Sequence, residues 1–407
     1  MQVFTIVARN YLALALTLAD SVAAFHPEAG ITIVVADGLN DLDPADRRYP
    51  MITAREVLGD AFDDLAFKYD VTEFCTAVKP FVFQRLLAAA DGEAVFYLDP
   101  DMRLYGPLTP VLDQLAQSEI VLTPHLLELQ RIEDRAYPEY LHLWTGIFNL
   151  GFCALKAGPR SRDFVDWWAE RLRHYCYADH HDGLHTDQKW VDFVPVFFGD
   201  ALGILRHRGI NVAYWNIDER PLAVDPDGIT RAGPDPLLLF HFSGFRFDTL
   251  ALTKQPAADA LVRYDPARLD ALSAEYRDAV FANGYQRLIA LPYALGRYDD
   301  GVPITGLHRR LYRRLSAEQT FAAPFNTNGE LRNRLQRARL VDRSAAATAN
   351  YSGRSLASLD RATRTAEAAL GLLARLLGPR LYAYMIRFFA LYGRGEAHGF
   401  LVKQNSD

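Results

Sequence analysis

The chain has 407 residues, half of them hydrophobic and 12% aromatic, enough for a large buried core and long for one ordinary domain. Its three cysteines (Cys75, Cys153 and Cys176) form no CxxC pair; neither a disulfide framework nor a thiolate zinc site is implied, and a reducing compartment is expected. The net charge of −6 is divided, because residues 302–395 hold 16 arginines, no lysine and five acids, a balance of +11 against −17 elsewhere. Such a basic appendage suits an anionic membrane surface or lipid phosphate rather than nucleic acid, or else a solvated helical face paired with the acidic body.

The first strand is expected at 3–8 (VFTIVA), too early to leave room for a signal peptide. Residues 11–25 place Leu12, Ala15, Leu16, Ala19, Val22 and Ala23 at helical spacing. A continuous apolar strand follows at 31–36 (ITIVVA), ending at Asp37 and Gly38. Residues 81–89 read as a helix, 94–98 (AVFYL) as a buried strand and 119–123 (EIVLT) as another. This alternation predicts α/β architecture, with βαβ units on a parallel sheet. In such sheets ligands sit beyond the carboxyl ends of the strands.

Further along, 148–155 (FNLGFCAL) reads as a strand, and 161–175 as an amphipathic helix with Phe164, Trp167, Trp168 and Leu172 on its apolar side. Strands are expected at 211–216 and 237–242. After about residue 256 the pattern is mainly helical, with breaks at Gly301, Gly306 and Pro324 and two apolar, arginine-punctuated stretches at 370–377 and 381–392 around Gly378-Pro379. No run of about 18 residues is free of charge, so no spanning helix is expected and the chain reads as cytoplasmic. The C-terminal stretches would pack on the body, pair with a second copy, or rest on the inner face of a membrane.

The motif richest in chemistry is Asp99-Pro100-Asp101, directly after the strand at 94–98. Two carboxylates this close repel unless a cation lies between them, and proline stiffens the turn that carries them. Hard oxygen ligands suit Mg²⁺ or Mn²⁺, which bridge carboxylates and substrate phosphates and neutralise a departing diphosphate. His241, at the end of another apolar run, is a candidate third ligand and favours Mn²⁺; Gly244 beyond it permits close backbone approach to a phosphate. The plain alternatives are a helix-capping Asp99, a solvated Asp101 and a core histidine. A cluster of His180, His181, Asp182 and His185 lacks metal-site spacing and reads as a polar loop that closes over substrate.

Taken in order, Val7-Ala8-Arg9-Asn10-Tyr11, Tyr97-Leu98-Asp99-Pro100-Asp101, Phe148-Asn149-Leu150-Gly151-Phe152, Thr186-Asp187-Gln188 and His241-Phe242-Ser243-Gly244 resemble glycosyltransferase family 8. The resemblance covers about residues 1–255, leaving 256–407 as a mainly helical C-terminal region. It implies a GT-A fold, Rossmann-like, and transfer of a hexose from a nucleotide diphosphate sugar, UDP-linked, to a glycan or lipid-linked acceptor with retention of configuration, as in polysaccharide or lipopolysaccharide biosynthesis. On that likeness Asp99, Asp101 and His241 hold Mn²⁺ (or Mg²⁺), and Tyr11 lies against the base, with Ala8 and Asn10 bordering base and ribose. Asn149, Asp187 and Gln188 hold the donor sugar, Gln188 beside its anomeric carbon, and Lys79 contacts sugar and phosphate. Two features depart from the family: Arg9 stands where acids are common, and the late lysine is missing, with Arg246 the nearby substitute. A haloacid dehalogenase-like phosphatase also uses DxD, but on its first strand; a catalytically silent binding module of the same fold is the other rival.

Overall fold

The computed structural model describes residues 1–90, 92–129, 131, 137–252, 266–341 and 360–402, with the side chains of 360–367 left aside. The chain divides into two compact units, Met1–Phe62 with Val71–Tyr293, and Asp63–Asp70 with Ala294–Asp407.

The first unit is built on a seven-stranded sheet. Its strands are β1 (Gln2–Val7), β2 (Gly30–Val35), β3 (Met51–Thr53), β4 (Ala94–Leu98), β6 (Ile120–Pro124), β7 (Phe148–Lys156) and β8 (Leu202–Ile204), in the order β8-β6-β7-β4-β1-β2-β3. Strands β1, β2, β3 and β4 are mutually parallel, as expected, but β7 runs antiparallel to both β4 and β6. The sheet is therefore mixed, not parallel. An apolar run such as FNLGFCAL shows that a strand is buried and says nothing of its direction. A second, three-stranded sheet joins β9 (Ile210–Val212), β10 (Leu239–His241) and β5 (Met102–Leu104), the strand that begins directly after the two aspartates.

Two helices matter for the site. Helix α1 (Leu12–Phe25) follows β1 and is buried along most of its length. Helix α2 (Val71–Ala89) starts ten residues before the expected helix and runs through Pro80. Proline removes one helical hydrogen bond, but Phe74, Ala77, Val78, Phe81, Val82 and Phe83 are all buried around it, and their packing outweighs a loss of about 3 kcal/mol. The strand expected at 211–216 ends at Val212 because Asn216 turns the chain: its Oδ1 accepts from Ala213 N at 2.9 Å. The amphipathic helix lies at Pro159–Tyr175 with Phe164, Trp168 and Leu172 buried. Cys75, Cys153 and Cys176 form no disulfide.

The helical pattern after 256 holds where it is described; 253–265 lie outside the described residues. The helix Pro266–Ala282 belongs to the first unit, where Leu269, Leu272, Tyr276 and Val280 share a core with Leu12, Leu16 and Phe242. The resemblance ends at about residue 255, whereas the two compact units part at 293/294. In the second unit Leu311, Tyr312, Leu315, Leu331 and Leu335 pack with Phe67. Gly306 opens a helix (Gly306–Ser316) instead of breaking one, because the Thr305 hydroxyl accepts from His308 N and caps it. The C-terminal helix Asp360–Tyr392 is interrupted at Gly378, whose φ of 69° lies in the left-handed region. No helix among the described residues is long and apolar enough to cross a membrane.

Candidate active site

Strand β1 is flanked by β2 on one side and β4 on the other, so a crevice opens at the carboxyl ends of β1 and β4. The chain leaves β4 at Asp99, whose N–H donates to Gly151 O of β7 at 2.7 Å, and enters β5 at Met102, which pairs in register with His241. Phe242 N donates to Asp101 O at 2.8 Å. Two ladders thus bring together three residues that the sequence separates by up to 142 positions. One ligand atom each from Asp99, Asp101 and His241 lies within 4.8 Å of the others. His241 Nε2 is 3.1 Å from Asp101 Oδ1 and 3.8 Å from Asp99 Oδ2.

Two carboxylates and one imidazole fit a divalent cation of the Mn²⁺ or Mg²⁺ class. Burial opposes charge on both Asp101 and His241. Their mutual attraction outweighs it, holding the Asp101 carboxyl below the ordinary range and the His241 imidazole above its ordinary value. The space beside the cluster is kept open by Gly151, where a Cβ would fall 2.6 Å from His241 Cε1 and 2.9 Å from Asp99 Oδ2. Gly151→Ala is therefore expected to weaken Mn²⁺ binding at least tenfold and to lower stability by about 1–3 kcal/mol, checked by metal titration and thermal melting.

The cluster lies between two cavities. One, of about 270 Å³, is lined by Lys79, Asp99, Asn149, Asp187, Gln188 and His241, with an aromatic wall of His125, Tyr137, Tyr214 and Trp215. The other, of about 540 Å³, is lined by Tyr11, Asp101, Gly244, Arg246, Phe247 and Tyr285.

In the first cavity Lys79 is 2% exposed. Its Nζ is 2.8 Å from Asp187 Oδ2, 3.7 Å from Asp99 Oδ1, and donates to Leu150 O at 2.8 Å. Burial works against the ammonium, but Asp187 and then Asp99 outweigh it, and the pKa of Lys79 sits above its ordinary value. Asn149 Oδ1 accepts from Gly151 N at 3.2 Å. Gln188 is held on both sides of its amide: Oε1 accepts from Leu150 N at 2.9 Å and Nε2 donates to Thr145 O at 2.6 Å. Gln188 is a rigid wall of the cavity, not a free side chain.

Tyr11, 42% exposed, lines the second cavity from the turn after β1. Ala8 and Asn10 share that turn; Ala8 is buried and Asn10 Oδ1 is a buried acceptor with no hydrogen bond among the described residues. Arg246, expected as a phosphate grip, is exposed and pairs with Asp248 at 3.0 Å. Arg9 fastens loops: it pairs with Asp37 at 3.3 Å and Asp41 at 2.8 Å and donates to Asn40 O and Pro292 O. The polar stretch before Asp187 is a small hairpin, Ala178–Asp179 against Leu184–His185, with His180 stacked on Trp144.

His125 and Asn211 were not singled out by motif. His125 follows the carboxyl end of β6 as Asp99 follows β4, and that position is the signal; Asn211 is an amide within an otherwise apolar strand, INV. Burial, with His180 and Lys189 adding to it, pushes His185 down to about 4 from 6.5. Below pH 6.5 the unfolded chain takes up a proton that the folded one refuses until about 4. Stability should fall by roughly 3 kcal/mol across that window, and His185→Gln should flatten a melting curve recorded between pH 7 and pH 4.

The mixed sheet puts two acids at the tip of β4, and a second sheet returns His241 beside them, so three of the residues that the resemblance singled out lie together. No family model matches the chain. Two curated proteins of Bacillus subtilis (strain 168) are similar over part of it: the uncharacterized protein YfnF, 26% identical over 187 residues (46% of this chain, 61% of that protein), and the uncharacterized protein YfnD, 25% identical over 182 residues (44% and 55%). The matched stretch thus spans less than two thirds of either relative. Similar solved structures include the galactosyltransferase LgtC in complex with donor and acceptor sugar analogs (TM-score 0.42, 16% identity, 72% of this chain and 98% of that one). Others are mouse xyloside xylosyltransferase 1 (0.37, 11%, 59% and 97%) and the glycosyltransferase GlyE of Streptococcus pneumoniae TIGR4 (0.37, 14%, 73% and 66%).

Proposed function

We propose that this chain is a metal-dependent glycosyltransferase that moves a hexose from a UDP-linked donor to a glycan or lipid-linked acceptor in the cytoplasm. The observation that carries the reading is the Asp99–Asp101–His241 cluster, placed between a cavity walled by Tyr11 and one walled by Asn149, Asp187 and Gln188. Asp99, Asp101 and His241 would hold a divalent cation, which would supply charge neutralisation to a diphosphate leaving group.

The remaining work falls to the chain itself. Tyr11 offers a ring face to the base, with Ala8 and Asn10 at the ribose edge and the Gly244 turn beside the phosphates. Arg246 meets the diphosphate only by leaving Asp248. Lys79 keeps its positive charge next to the leaving group, fixed there by Asp187. Asn149 and the clamped amide of Gln188 orient the sugar, lowering the entropy of reaching an oxocarbenium-like transition state. Asp187 is tied to Lys79 and is poorly suited to attack the sugar. A same-face substitution with retention is therefore favoured, in which the departing diphosphate oxygen takes the acceptor's hydroxyl proton.

In the C-terminal helix Leu372, Leu376, Tyr384, Phe389 and Leu391 are exposed, and Arg375, Arg380 and Arg387 punctuate the same stretch. We assign it to rest on the inner membrane face or to pair with a second copy; flotation of the full chain with anionic vesicles separates the two.

The test of the main reading is a thermal-shift panel of nucleotide sugars with and without Mn²⁺, followed by NMR of the product's anomeric centre. A UDP-hexose should raise the melting midpoint only with the cation, by an amount set by mass action. If no nucleotide sugar shifts it, the reading fails; an inverted product would overturn retention alone.

A further inference from the structure

Three side-chain amides run from the donor-sugar wall to the candidate metal cluster. Two of them are oriented by backbone N–H groups, which can only donate, and the third by the acceptor oxygen that this leaves. Leu150 N–H donates to Gln188 Oε1 at 2.9 Å, so that oxygen is an acceptor, and Asn149 Nδ2 lies 3.5 Å from it. Gly151 N–H donates to Asn149 Oδ1 at 3.2 Å, so the Asn211 group at 3.0 Å from that oxygen must be its NH₂. The other NH₂ hydrogen goes to Thr123 Oγ1 at 2.8 Å. That leaves Asn211 Oδ1 facing His241 Nδ1 at 3.2 Å, where it can only accept.

We infer that Asn211 is the positioning residue of the metal site: it holds His241 as the Nδ1–H tautomer, so that the Nε2 lone pair is aimed at the space between Asp99 and Asp101. An imidazole that binds a metal through one nitrogen is oriented by the bond its other nitrogen donates. Asn211 is 1% exposed and has a φ of 59°, a conformation that asparagine tolerates better than most residues. Its backbone oxygen accepts from Asn216 Nδ2 at 3.1 Å, which holds the strand end in that shape. The same relay passes through Asn149 and Gln188, so the wall of the sugar cavity and the geometry of His241 are set together. The bland account is satisfaction of buried amides, which would leave metal affinity indifferent to Asn211.

This inference rests on the reading that Asp99, Asp101 and His241 bind a divalent cation. The experiment is a titration of the full chain with Mn²⁺ alone, read by electron paramagnetic resonance of the free ion, for wild type, Asn211→Gly and Thr123→Val. Glycine accepts the φ of 59° and removes only the side chain. Asn211→Gly should bind Mn²⁺ 10–100-fold more weakly. Thr123→Val removes the acceptor outside the relay and should stay within about threefold of wild type. Long-range ¹H–¹⁵N spectra of the cation-free protein, recorded after the ring has been titrated to its neutral form, should show the Nδ1–H tautomer at His241 in wild type and a mixture in Asn211→Gly. Equal Mn²⁺ affinity in wild type and Asn211→Gly would overturn the inference while leaving the metal reading intact. So would an Nε2–H tautomer in wild type, however the variant folds. A wild type that binds no Mn²⁺ would sink the metal reading, and the inference with it.

Discussion

Replacing Asp99 and Asp101 together by alanine is expected to abolish manganese-dependent cleavage and transfer from a UDP-sugar, with a loss of at least about 10³-fold in kcat/KM. The two carboxylates supply two of the three donors in the cluster, and without them His241 alone is a weak ligand. Stability should respond differently. In the absence of cation, alanine removes two neighbouring negative charges, and His241 loses the attraction that raised its pKa. The melting midpoint without metal should thus change little. The gain on adding Mn²⁺, about 2.7 kcal/mol for wild type at a hundredfold excess over Kd, should vanish. Activity and melting measured on one preparation check both halves. A double variant that keeps its manganese-dependent rate would remove the basis for placing the cation here.

The second large effect concerns the fold. Lys79 and Asp187 form an ion pair with side chains 2% and 3% exposed, at the junction of helix α2 with the segment after the hairpin. Removing one partner of such a pair leaves a buried charge uncompensated and typically costs about 3–5 kcal/mol. Lys79→Met should be the more damaging single change, because among the described residues Asp187 then keeps only the Thr186 hydroxyl, whereas Lys79 in Asp187→Asn still has Leu150 O and Asp99. A drop of roughly 6–10 °C in the melting midpoint is expected for Lys79→Met. The double variant Lys79→Met/Asp187→Leu should recover much of it, because two apolar groups of similar size need no counter-ion. Calorimetry of the three proteins settles the order; a double variant no better than Lys79→Met would show that the pair is not what holds this region.

Much of the site was legible because its signals are local. An apolar five-residue run followed by Asp-Pro-Asp marks a strand tip loaded with charge. The same reading gave Arg246 a phosphate to hold, whereas a nearer acid, Asp248, holds Arg246. The resemblance set Gln188 beside the donor sugar but gave no sign that two backbone groups clamp its amide. Asn211 went unremarked because its importance lies in a partner thirty residues away.

From sequence alone came the strands near 3–8, 31–36, 94–98, 119–123 and 148–155, the helical character of the C-terminal region and the candidacy of Asp99, Asp101 and His241 as metal ligands, since apolar period and residue chemistry are properties of short segments. Only the tertiary structure decided that β7 runs against its neighbours, that Met102 pairs with His241, and that Lys79 meets Asp187. The physical reason is that strand direction, register and buried charge pairing depend on which distant backbone groups share hydrogen bonds, and no local pattern of side chains encodes that choice.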